Sequence, residues 1–145
     1  MHWWVMLIAV MGGVAVGIQA AVNGTLGKNI GVLEATLVSF IVGTGALTLA
    51  TVLFGRGNVS AALAVPRWQL VGGLLGSFYV FSIVLGAPRL GVTSTIVAVI
   101  TGQMLAGALI DHFGVIPGRH VPIDRYRVLG LVLMAGALFL FYRKR

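Results

Sequence analysis

Long unbroken apolar runs dominate this chain, separated by short stretches rich in Gly, Pro, Asn and basic residues. Five such runs stand out: Trp3 to Val22, Val32 to Phe54, Trp68 to Ala87, Val92 to Phe113 and Tyr126 to Tyr142. A bilayer core of ~30 Å takes about 20 helical residues per crossing, so each run is read as one transmembrane helix. Continuous runs exclude a barrel, whose strands would alternate polar and apolar positions. Asn23, Gly24 and Thr25 interrupt the first run and put Lys28 and Asn29 in a loop. Pro88 lacks the N–H that a helix interior needs and is read as the stop of the third span. The most polar link holds His112, Pro117, Arg119, His120, Pro122, Asp124 and Arg125. The fifth run is the shortest, and Arg127 lengthens it by snorkelling.

The composition changes the picture little. The chain is 59% hydrophobic and only 9% charged over 145 residues, too little polar surface for a soluble domain. Five crossings leave only short connections, so residues 1–145 are read as a single transmembrane domain of all-α class. The N-terminus has no basic stretch ahead of its long apolar run, which is read as a retained span rather than a signal peptide. There is no cysteine, which removes disulfides and thiolate metal sites. The net charge of +7 comes from residues at span ends, where lipid headgroups lie, and forms no contiguous face for nucleic acid. The three histidines show no ligand spacing, and no nucleophile, phosphate-loop or dinucleotide motif occurs. The expectation is therefore no metal, no cofactor and no enzymatic activity. Asn23-Gly24-Thr25 and Asn58-Val59-Ser60 match glycosylation sequons, a pattern that arises often by chance.

Charge matters more in its distribution. With five crossings, Arg56, Arg67, Arg119, Arg125 and Arg127 fall on one side of the membrane. Lys28, Arg89, Arg143, Lys144 and Arg145 fall on the other, five against five. Orientation normally follows an imbalance of Lys and Arg. Its absence leads us to expect insertion in both orientations and an antiparallel homodimer. Trp3, Trp4 and Trp68 gather on the first side and suit interface anchors.

Polar side chains inside spans are costly unless paired, so they mark candidate sites. Gln19 and Asn23 stand four apart on one face of the first helix, and Glu34 and Ser39 lie in the first two turns of the second. Thr93, Ser94 and Thr95 open the fourth. These all fall in the membrane half nearer the second side, where they suggest a polar pocket. Tyr79 and Gln103 lie near the middle of the third and fourth spans. The candidate substrate-binding set is therefore Gln19, Asn23, Glu34, Ser39, Tyr79 and Gln103. Each has a structural alternative: Gln19 and Asn23 as interhelical glue, Glu34 as a carboxylate favoured by a helix N-terminus. Asp111 is read as a helix-end or loop anchor. Small residues four apart, Gly13 with Gly17, Gly72 with Gly76 and Gly102 with Ala106, predict grooves for close helix packing.

Together these residues resemble a known family. Gly17-Ile18-Gln19-Ala20-Ala21-Val22-Asn23, then Gly31, Ala35, Ser39-Phe40 and Gly43, is similar to the first half of the YdcZ-type family. Gly72-Gly73 with Gly76, Tyr79-Val80, Pro88-Arg89-Leu90-Gly91, Gly102-Gln103, Ile110-Asp111-His112-Phe113-Gly114 and Gly130 continue the likeness over nearly the whole chain. The resemblance implies a five-helix, multi-pass protein of the bacterial inner membrane within the drug/metabolite transporter superfamily, which also includes EamA-type folds. The related small multidrug resistance proteins have four helices, form antiparallel dimers and exchange protons for cations at a carboxylate in the first helix. This chain departs from that pattern, because its first span holds no acid and Glu34 stands in the second.

The resulting expectation is a small-molecule transporter working as an inverted homodimer by alternating access. The two copies of Glu34 would lie at opposite membrane faces, whereas two copies of Gln103 would both lie near the midplane. That arrangement puts Gln103 at the centre of a pathway and Gln19, Asn23 and Glu34 at its mouths. A dual-topology channel and a non-transporting assembly protein are the alternatives.

Overall fold

A first helix of 28 residues, α1 (Trp3–Ile30), exceeds its apolar run by about two turns. The structure, a computed structural model, describes residues 3–115, 118 and 120–143. Arg119, Lys144 and Arg145, which enter the charge balance, lie outside the described residues, as do His2 and Pro117. The remaining helices are α2 (Val32–Phe54), α3 (Gly72–Leu90), α4 (Val92–Phe113) and α5 (Arg125–Arg143). Two short 3₁₀ segments, Val59–Leu63 and Arg67–Val71, occupy the link between α2 and α3. Five helical stretches are long and apolar enough to cross a membrane, the third being counted from Arg67 to Leu90.

Two sequence expectations fail for physical reasons. Asn23, Gly24 and Thr25 do not end α1, and Lys28 and Asn29 belong to its last turns. Their weak helix propensity is overridden by packing. Gly24 lies against Ala87 and Pro88 of α3, where a Cβ would come within 3.2 Å of Ala87, and Gly27 lies against Val84 at a distance that leaves no room for a side chain. Pro88 likewise sits inside α3 rather than stopping it. It is two residues from the helix end, so the ladder loses one bond in a turn that is already fraying. The Arg89 guanidinium donates from Nη1 to the Leu85 carbonyl at 2.7 Å, supplying a donor to the same turn.

The chain divides into two compact units, Met1–Arg89 and Leu90–Arg145. In the first, α1 and α2 form a hairpin joined by Gly31 alone. Gly31 has φ 104° and ψ 153°, a region open essentially to glycine only. The core of this unit is small: Ala35, Val80 and Val84 are buried, with Leu26, Val32, Phe40 and Tyr79 packed against them. Most large apolar side chains of α1 and α2, such as Val14, Ile18, Leu37 and Ile41, face outward. In water such a surface would aggregate, whereas in a bilayer it is the lipid-facing side.

The second unit is the α4–α5 pair. Gly91, with φ 83° and ψ 153°, precedes α4 in the same backbone conformation as Gly31 precedes α2. Gly114 ends α4 in the left-handed region at φ 62°. Val115 N–H there donates to the Ile110 carbonyl at 3.2 Å, which closes the helix.

Little packs on the expected glycine grooves among the described residues. A Cβ built on Gly13, Gly72 or Gly102 meets nothing within 4 Å, and one on Gly76 meets only the Phe40 ring at 3.8 Å. The close glycine packing occurs instead at Gly24 and Gly27.

Candidate functional sites

In the first unit, α1 presents Gln19 and Asn23 one turn apart. Asn23 is 7% exposed, and its amide Nδ2 donates to Ser39 Oγ of α2 at 2.9 Å. That bond satisfies a buried polar group that would otherwise destabilise the hairpin. Beside it, Gln19, Ser39, Phe40, Gly43, Thr44, Leu47 and Val80 line a cavity of about 170 Å³. Its polar groups are an amide and two hydroxyls, with no ionisable side chain. Such a lining offers hydrogen bonds to a neutral group and no counter-charge to an ion.

Tyr79 is half-buried against the core around Val80 and Val84, next in sequence to a cavity residue. Glu34 lies apart: it is exposed in the first turn of α2, with its carboxylate folded over Gly31. The helix start favours the negative charge there. Of the candidate residues, then, the structure gathers Gln19, Asn23 and Ser39. It leaves Glu34 outside the cavity and gives Gln103 to the second unit. Thr95, at the start of α4, is buried, and its hydroxyl donates back to the Gly91 carbonyl at 2.9 Å.

The second unit holds a larger cleft between α4 and α5, of about 700 Å³. Gln103 lines one part of it. Eight residues further along α4, or about 12 Å at 1.5 Å per residue, Asp111 lines it too. Arg127 Nη1 donates to Asp111 Oδ2 at 3.2 Å, tying the start of α5 to the end of α4. Asp124 caps α5, its Oδ1 accepting from Arg127 N at 2.8 Å. The intervening loop folds back onto α4. Val121 N–H donates to the Asp111 carbonyl at 2.9 Å, and Ile123 N–H to His112 Nδ1 at 3.2 Å. Asp111 thus anchors both loop and helix. Sequence reading placed Asp111 and Arg127 only as separate end-of-span residues. The signal for their pairing was opposite charge at the facing ends of consecutive helices. Among the described residues no group of three or more His, Cys, Asp or Glu side chains is placed to hold a metal ion.

Residues 4–140 match the family described as "Putative inner membrane exporter, YdcZ". The chain belongs to this family. It is also similar to "Inner membrane protein YdcZ" of Escherichia coli (strain K12), at 32% identity over 108 residues, which cover 69% of this chain and 72% of that protein. No solved structure matches the chain. Membership and the five apolar helices make it a multi-pass inner-membrane protein of the YdcZ family. The match spans both the Gln19–Asn23–Ser39 cluster and the α4–α5 cleft.

Proposed function

We propose that this YdcZ-family protein carries small molecules across the inner membrane as an inverted homodimer working by alternating access. The observation that supports transport most directly is the Asn23–Ser39 pair beside the Gln19 cavity. Polar groups at membrane depth are rare, and they mark substrate pathways. The family description as exporters points the same way. The cavity's lining favours cargo that presents a neutral hydrogen-bonding group.

Two features favour the inverted dimer. The basic residues split evenly between the two sides that five crossings define. Among the described residues, a Cβ built on Gly13, Gly72 or Gly102 meets nothing within 4 Å, and a small-residue face of this kind suits close approach by a second copy. Inversion yields two equivalent states by symmetry, as inverted repeats do in larger transporters. In such a dimer only residues near the middle of a span can meet their own copies on the two-fold axis. Gln103 holds that position in α4, and the two amides would form a shared centre.

The test is a ligand-stabilisation screen of the purified protein followed by flux into liposomes of any stabilising compound. Saturable, counter-transported flux that falls in both Gln103→Leu and Asn23→Leu is the expected result. Flux that does not saturate would mark a channel, and no flux of any stabilising compound would leave an assembly role.

A further inference from the structure

The mouth of the α4–α5 cleft combines features that the transport reading does not use. Two carboxylates, Asp111 and Asp124, and one guanidinium, Arg127, line one end of it. Its walls are otherwise mainly apolar, with Ile100, Met104 and Leu131 among them. Arg127 commits Nη1 to Asp111 and its backbone N–H to Asp124. Among the described residues, its other guanidinium donors have no partner. The volume of about 700 Å³ lies within the range of small-molecule sites, ~300–1,000 Å³.

A ligand complementary to this cleft carries both charges at one end and an apolar tail behind them. An anionic headgroup alone would meet the Asp124 carboxylate, and a cationic one alone would leave the remaining guanidinium donors of Arg127 unused. We propose that the α4–α5 cleft binds a zwitterionic amphiphile. Its ammonium sits at the Asp124 carboxylate, its phosphate or carboxylate on the free donors of Arg127, and its chain along Ile100, Met104 and Leu131. The charged end lies where α4 ends and α5 begins, at the boundary at which lipid headgroups stand. The ligand's source is either a phosphatidylethanolamine-type membrane lipid or a free single-chain zwitterion. This inference concerns binding and does not depend on the transport reading.

Native mass spectrometry of the purified protein, with added lipids of matched chains, provides the test. Phosphatidylethanolamine should be retained in preference to phosphatidylglycerol, which lacks the ammonium. Arg127→Gln should weaken phosphatidylethanolamine binding by about tenfold, the effect of losing one charge-assisted hydrogen bond. Because that change also breaks the tie to Asp111, a second variant leaves the polar network intact. Gly107 and Gly130 line the cleft, and a Cβ on either meets nothing within 4 Å. Gly107→Leu therefore projects a side chain into the cleft from a position where the first added carbon meets no neighbour, and it should abolish the preference while thermal stability holds. A free single-chain zwitterion that competes with the lipid, and binds as tightly without a bilayer lipid present, would assign the site to a soluble ligand. Equal retention of both lipids, or an unchanged preference in a folded Gly107→Leu protein, would overturn the proposal.

Discussion

Asn23 on α1 donates its side-chain amide to the hydroxyl of Ser39 on α2 at 2.9 Å, across a hairpin whose turn is a single glycine. The pair couples the two helices beside a cavity whose polar lining, Gln19, Ser39 and Thr44, is uncharged. A double-mutant cycle of Asn23→Leu and Ser39→Ala, read by unfolding in detergent, should give a coupling energy of about 0.5–2 kcal/mol. Additive effects of the two substitutions would show that the contact does not hold the hairpin.

Gly27 should tolerate no side chain. A Cβ there would come within 2.6 Å of Val84 Cγ1, and Val84 is fully buried and stiff at χ1. Gly27→Ala should destabilise the protein by about 1–3 kcal/mol, the usual effect of overpacking. Adding Val84→Ala should recover most of that loss. The recovery, measured as a shift in the thermal midpoint, separates a packing clash from a loss of backbone freedom.

Gly31 and Gly91 require glycine for a different reason, their backbone conformation. Gly31→Ala and Gly91→Ala should each reduce stability by about 1–3 kcal/mol, with no single neighbouring substitution restoring it. Gly12→Ala is the contrast, since its Cβ meets nothing within 4 Å in an ordinary helix. That change should be neutral or stabilising by up to about 1 kcal/mol. Comparable losses at all three positions would refute the conformational argument.

The Arg127–Asp111 pair should matter to the α4–α5 loop more than to overall stability. Both side chains are partly exposed, and such pairs contribute about 0–1 kcal/mol. Asp111→Asn should therefore leave the thermal midpoint nearly unchanged while raising hydrogen exchange at Val121 and Ile123. Unchanged exchange at both amides would show that the loop is held without the pair.

Apolar run length was enough to read α2 and α4, whose ends coincide with Val32, Phe54, Val92 and Phe113. It failed at the end of α1, because local polarity there signals a loop while packing against α3 sustains a helix. Gly24 and Gly27 carry that packing, yet in sequence they resemble breakers as much as contacts. Gln19, Asn23 and Ser39 are legible as polar groups that a span tolerates only when paired, whereas the Asn23–Ser39 contact depends on the single-residue turn at Gly31. The α4–α5 cleft is not legible in the sequence. Its charged end depends on a loop folding back so that Arg127, whose N–H is held by Asp124, reaches Asp111, a contact across 16 positions that no local pattern records.

The inverted dimer rests on insertion in both orientations, and one labelling measurement addresses that directly. The chain has no cysteine, so Ala61→Cys places a single thiol in the exposed link between α2 and α3 without altering any charge. Intact cells are treated with a membrane-impermeant thiol reagent, and the labelled fraction is compared with that after permeabilisation. The balanced basic residues predict that about half of the protein is labelled from outside. Labelling of nearly all or nearly none would mean a single orientation and would contradict the inverted homodimer.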